Sequence, residues 1–323
     1  VSDGPPTRRH LAAWLVDRDH PLTARVAVNR FWQQFFGAGL VKTAEDFGAR
    51  GATPSHPQLL DYLALRFVDS AWDVKRLVRE IVLSETYCQS SHASCKAYLE
   101  DPGNRWLARG ARFRLSAEAI RDQALAASGL LNETMYGKSV KIPQPPGLWK
   151  HVSMPTSNPY LFEADTGDAV YRRSIYSFWK RGFPPPQLTI FDAPTRESCI
   201  ARRERTNTPL QALVLMNEGQ FFEAARNFAR RFYASQESDQ EKIRRAYETL
   251  TSQLPSEATI DALEEGLASF RSHYAGDPEA AAALVKSSAE AESQLQVNRA
   301  EEWAAWTMVV HSLLNLDSVK TRQ

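Results

Sequence analysis

Apolar residues recur every three to four positions toward both ends of the chain, a spacing that predicts amphipathic helices. In LTARVAVNRFWQQFFG, Val26, Val28, Phe31, Trp32, Phe35 and Phe36 form the apolar stripe, and Gly37 is placed to end the helix. TRRHLAAWLVDRDHP gives a shorter amphipathic segment that stops near Pro21. In SHPQLLDYLALRFVDSAW the stripe is Leu59, Leu60, Leu63, Phe67 and Val68, and Ser55 with Gln58 reads as a capping box. DVKRLVREIVLSETY repeats the pattern through Val74, Leu77, Val78, Ile81 and Val82. SAEAIRDQALAASGLL runs from a Ser116 cap to a Gly129 stop.

The periodicity breaks over residues 132–207, where Pro, Gly and aromatic residues crowd together in KIPQPPGLWKHVSMPTSNPYLF and FWKRGFPPPQLTIFDAPTRES. Prolines at that density exclude long helices, so loops and a few short strands are expected. YRRSIYSFWKR fits either period, and its aromatic content favours a strand. From Thr208 onward the pattern is helical to the end, with a second capping box at Ser238 and Glu241. The expected fold is mainly α, a multi-helix globular domain with an irregular Pro- and aromatic-rich insertion and a C-terminal helical bundle. Residues 1–231 would form the helical core with its insertion. Residues 232–323 would be an acidic helical region packed on it.

Charge adds an asymmetry to this picture. Residues 1–231 hold 31 basic against 23 acidic side chains, whereas residues 232–323 hold 8 against 15. Either the two regions attract each other, or the basic one offers a face to an anionic partner. The sequence pI near 7.9 lacks the basic excess of most nucleic-acid binders. No apolar run reaches the roughly 18–20 residues that span a bilayer. The opening VSDGPPTRRH carries neither Met nor a leader pattern, as expected of a piece of a longer polypeptide.

Candidate chemistry concentrates in RRERTNTPLQALVLMNEGQF. Thr208 as N-cap, Pro209 at the first helical position and Gln211 at the third make a helix start. Leu210, Leu213, Val214, Phe221 and Phe222 are its expected buried stripe. Arg202, Arg203 and Arg205 stand before a helix end that is itself partly positive. Buried, they need carboxylates, and Asp192, Glu197 and Glu204 are nearest in sequence. Alternatively, their guanidinium forks and the helix amides receive an anion, with Arg173, Asn207 and Thr208 completing the ligand set. Asp192 and Glu197 are also the candidate acid–base pair of an enzyme reading.

Other groups carry less. His10, His20, His56, His92 and His151 are scattered without the i, i+4 spacing of a helical metal site, so no metal is expected. Cys88, Cys95 and Cys199 make no disulfide framework, and a buried, inert Cys199 is expected. The chain also lacks a phosphate loop, a nucleophile elbow and a haem-attachment motif.

The stretches HPLTARVAVNRFWQQFFGAGLVKTAEDFGARGATPSHPQLLDYLA, AEAIRDQALAASGLL, PPGLW, YRRSIYSFWKR and FDAPTRESCIARRERTNTPLQALVLMN, in this order, carry a resemblance. They resemble the planctomycete-type family known as domain of unknown function 1553. Cys88 departs from that pattern, which usually has a basic residue there. The resemblance implies the C-terminal part of an exported, extracytoplasmic protein, often with a cytochrome c-like domain upstream. It implies no cofactor in this chain, with haem c belonging to an upstream domain. It supplies no catalytic residues. The expected function is therefore an accessory module that binds a partner domain or an anionic polysaccharide through its Arg-rich helix start. The alternative is an extracytoplasmic enzyme acting on complex polysaccharide. In a third reading, Trp149 and Trp179 face the haem domain for electron transfer.

Overall fold

The computed structural model describes residues 5, 7–149, 156, 162–286 and 297–322, and these form a mainly α-helical protein. The chain divides into two compact units. The first comprises the residues up to Phe113, with Cys199–Arg203 and Arg322, and the second comprises Arg114–Ser198 and Glu204–Thr321. The boundary expected at 231/232 falls inside the second unit.

In the first unit, α1 spans Arg8–Leu15, α2 Thr23–Phe36, α3 Pro57–Asp69, α4 Val74–Val82, α5 Glu85–Cys88 and α6 Cys95–Glu100. The i, i+4 series Val28, Trp32 and Phe36 turns one face of α2 inward, and Trp32 stacks on Phe36 with centroids 4.1 Å apart. These pack with Leu60, Leu63 and Phe67 of α3 and with Leu77 and Ile81 of α4. Each such side chain contributes about 1.5–3 kcal/mol by leaving water. Asn29 is buried on the same helix, and its amide exchanges two hydrogen bonds with the Val41 backbone. A Cβ on Gly39 would lie 2.6 Å from that amide, so only glycine lets the returning chain approach so closely.

Two readings of this unit change. α3 begins one residue late for a Ser55 capping box: His56 is the N-cap, Pro57 opens the helix, and no side chain caps it. Val74, expected in the stripe of α4, is exposed beside the N-cap Asp73, whose carboxylate accepts from the Arg76 amide.

In the second unit, α7 spans Ala117–Ser128, α8 Pro186–Thr189, α9 Pro209–Asn217, α10 Gly219–Tyr233, α11 Asp239–Thr251, α12 Glu257–Gly276, α13 Pro278–Val285, α14 Val297–Leu314 and α15 Asp317–Lys320. α14 is the hub, packed against α10, α12 and α13. Trp306, Val310 and Leu313 supply its buried face, opposite Phe228 and Phe232 of α10. The expected caps form on α7, where Ser116 accepts from the Ala119 amide and Gly129 adopts φ 78°. The Ser238–Glu241 box forms on α11. Arg271 of α12 donates to Asp239 of α11 and to both oxygens of Glu302 on α14, fixing three helices around one guanidinium.

The irregular insertion is held by buried arginines. Arg121 of α7 donates to Gln220 Oε1, the carbonyls of Val170 and Arg172, and Ser174 Oγ, at 2.7–3.0 Å. Asp122 accepts from the amide and hydroxyl of Ser174. Arg172 lies 3.8 Å from the Tyr176 ring centroid and donates to the carbonyls of Thr134, Tyr136 and Lys138. YRRSIYSFWKR is therefore no strand: Ser174–Tyr176 is a 3₁₀ turn between isolated bridges. The reason is side-chain demand, because buried Arg121 draws the carbonyls of Val170 and Arg172 toward itself instead of into a ladder. The two-stranded sheet pairs Phe113–Arg114 with Thr321–Arg322, outside the insertion.

Candidate functional site

The start of α9 is assembled by residues far apart in sequence. After α8 the chain turns at Asp192, which adopts the left-handed φ of 61°. That turn aims its carboxylate at Thr206, which donates from its amide at 2.7 Å and from its hydroxyl at 2.9 Å. Arg114 closes the arrangement. Its guanidinium donates to Asp192 Oδ2, to the Phe191 carbonyl at 3.1 Å, to the Thr206 carbonyl at 3.0 Å and to the Leu115 carbonyl at 2.9 Å. The Arg114 and Asp192 side chains are 10% and 17% exposed, so this is a nearly dry ion pair with its remaining valences satisfied.

Gln211 completes the clasp from within α9. The helix-start reading has its side chain folding back on the cap. Instead it is buried and donates to the Ile190 carbonyl at 3.0 Å and to Thr206 Oγ1 at 3.1 Å. Thr208 is the N-cap, as expected, but its hydroxyl caps nothing. Thr206 is anchored through Asp192, so it is side chains two residues upstream of the cap that fix the approach of the chain to Pro209.

The clasp also sets which face of α9 turns inward. Gln211 and Leu215 are its buried residues. Leu210, Leu213 and Met216 are 52%, 52% and 51% exposed, and Val214 is half-buried. Of the expected stripe, Leu210 and Leu213 are thus turned outward and Val214 stays packed against the core, because the anchor at Gln211 decides the helix phase. Phe221, expected in the same stripe, is buried on α10.

The other candidate residues lie as follows. Arg205, Asn207 and Thr208 are exposed on the second unit, immediately before α9. Arg202 and Arg203 are exposed and belong to the first unit. Arg173 is half-buried and lies 3.6 Å from the exposed Glu133. Glu197 is exposed on a turn where its amide faces Thr195 Oγ1. Asp192 therefore pairs with Arg114, not with the arginines of 202–205. Cys199 is exposed, not buried, as are Cys88 and Cys95. Trp149 is buried, and Trp179 is half-buried beneath Arg196 with its indole N–H on the Thr195 carbonyl. His151 lies outside the described residues. Among the described residues there is no group of three or more His, Cys, Asp or Glu side chains that could hold a metal.

Arg114 and the inward turn of Gln211 are what the sequence pattern does not reveal. Arg114 stands next to a helix start with nothing local to mark its partner, which lies 78 residues onward. A family model, PSD1, described as a protein of unknown function (DUF1553), matches residues 7–267. No curated protein and no solved structure matches the chain.

Proposed function

The chain belongs to the PSD1 family of unknown function (DUF1553), and on that premise we propose that it is an interaction module that docks a partner domain through the start of α9. The observation carrying this reading is the pairing of an exposed apolar row, Leu210, Leu213 and Met216, with exposed Arg205, Asn207 and Thr208 on one rigidly anchored helix start. Met and Arg are enriched at protein interfaces, and contiguous exposed apolar side chains mark them. An anionic polysaccharide would use the arginines but gain little from the leucines, so a protein partner with an apolar patch rimmed by carboxylates fits better. Arg202 and Arg203 belong to the same cationic segment in sequence. The partner in this reading is an upstream domain of the same polypeptide, in the exported, cytochrome-associated setting that the resemblance implies.

The enzyme reading draws no support from Asp192. Its carboxylate is committed to Arg114 and Thr206, which leaves it poorly placed to exchange a proton with a substrate.

The test is surface plasmon resonance of this chain against the separately expressed remainder of its natural polypeptide. Leu213→Asp should weaken binding at least about tenfold, and Arg205→Glu should weaken it most at low salt. Equal binding by the wild type and both variants, or no binding by any, overturns the proposal.

A further inference from the structure

A second exposed feature lies on the first unit, in the loop DPGNRWLAR that follows α6. Its backbone is fixed from inside. The Asp101 carboxylate accepts from the amides of Arg105 and Trp106 at 2.8 and 2.9 Å, and those amides hold it below the usual carboxylate range. Buried Arg109 donates to the carbonyls of Asp101 and Pro102 at 2.7 and 3.0 Å and lies 4.4 Å from the Tyr98 ring centroid. Asn104 Nδ2 donates to the Arg109 carbonyl, and Gln89 donates to that of Leu107. Asn104 and Leu107 both take positive φ, 47° and 57°, a conformation that asparagine tolerates and leucine rarely adopts.

What this frame presents is Trp106, 62% exposed. Arg105 lies against it, 5.4 Å from the ring centroid, and His56 meets it at a steep angle, 6.1 Å between centroids. More than half of the Trp106 surface is therefore open to solvent. The loop's other exposed residues are Pro102, Gly103 and Ala108, small groups that do not build an apolar interface around the ring. The same loop contains two buried polar atoms, Asn104 Oδ1 and Arg109 Nη1, that make no hydrogen bond among the described residues. The network holds the backbone that carries the indole in one conformation, which removes part of the entropic cost of ordering the loop on binding.

We propose that Trp106 and Arg105 form a carbohydrate-binding platform for acidic glycans, the indole stacking on a pyranose ring and the guanidinium pairing with a uronate carboxylate. The physical match is direct. A pyranose offers a flat face of polarised C–H groups to the negative face of the indole. Arg105, held beside the ring, supplies the planar fork that suits a carboxylate. These residues belong to the first unit, whereas the start of α9 belongs to the second.

Isothermal titration with trigalacturonate and with neutral cellotriose tests it. Trigalacturonate should bind more tightly than cellotriose. Trp106→Ala should weaken both at least about tenfold, while Trp106→Phe retains most of the affinity. Arg105→Gln should reduce trigalacturonate to the level of cellotriose, and Leu213→Asp should leave both unchanged. Trp106 is exposed, so thermal unfolding of its variants should match the wild type and exclude a folding defect. No binding up to about 10 mM, or equal binding by Trp106→Ala and the wild type, overturns the platform. An Arg105→Gln variant that keeps its preference for the acid overturns the ligand class, and loss of binding in Leu213→Asp overturns the location.

Discussion

Asp192 shows how one carboxylate organises a surface that it does not itself form. It accepts from Arg114 and twice from Thr206, and through Thr206 it reaches Gln211. Removing it leaves a guanidinium that is 10% exposed without its counter-charge. Breaking a buried pair from one side costs about 3–5 kcal/mol, so Asp192→Ala should lower the urea-unfolding free energy by that order. Asp192→Asn, which keeps an acceptor for Thr206, should cost less. Glu197→Ala, on an exposed turn, should change stability by no more than about 0.5 kcal/mol. A comparable loss for both alanine variants would show that the clasp is not what holds this segment. Asp192 was legible as a loop carboxylate but not as an anchor, because its function depends on Arg114, which no local pattern connects to it.

Helix starts divide into those that sequence rules describe and those set by tertiary contacts. Ser238 with Glu241, and Ser116 alone, make the cap bonds that their spacing implies. Ser55 and Thr208 do not. At α3 the proline at position 57 shifts the helix start past Ser55. At α9 the buried site for Gln211 outcompetes the cap. The consequence can be measured: Ser238→Ala and Ser116→Ala should each cost about 1 kcal/mol in chemical denaturation, whereas Ser55→Ala and Thr208→Ala should each cost about 0.3 kcal/mol or less. Losses of about 1 kcal/mol at all four positions would contradict these cap assignments. The same competition explains why α9 exposes Leu210 and Leu213. A heptad-like stripe specifies that one face is apolar, but an anchored polar side chain can choose another face to bury. Trp106 escaped the pattern for a simpler reason, since a loop residue has no period to betray it.

At the scale of the whole molecule, each unit has its own core. One is built around Val28, Trp32, Leu60 and Phe67, and the other around Phe228, Phe232 and Trp306. Calorimetry should accordingly resolve two transitions. Leu60→Ala should lower only one of them and Phe228→Ala only the other, each removing about 2–5 kcal/mol from its unit. A single transition shifted equally by both variants would rule out independent cores. Part of the acidic C-terminal charge is paired locally. Glu237, Asp239, Glu257 and Glu302 pair with Arg245, Arg271, Arg244 and Arg271, all inside the acidic C-terminal region itself. The mainly helical class was readable from periodicity alone. The division between units was not, because the chain crosses from one to the other at positions that composition does not mark.

The clasp at α9 also bears on the order of folding. Arg114 and the Thr206 carbonyl that it holds are 92 residues apart, so their contact closes a long loop whose entropy must be offset before the contact stabilises the chain. Gln211 can take its buried place only once Ile190 and Thr206 are in position. A nascent or partly unfolded chain therefore cannot offer Leu210, Leu213 and Met216 in their native alignment beside Arg205. As the docking face proposed above, the start of α9 would in effect certify completed folding and restrict recognition to mature molecules.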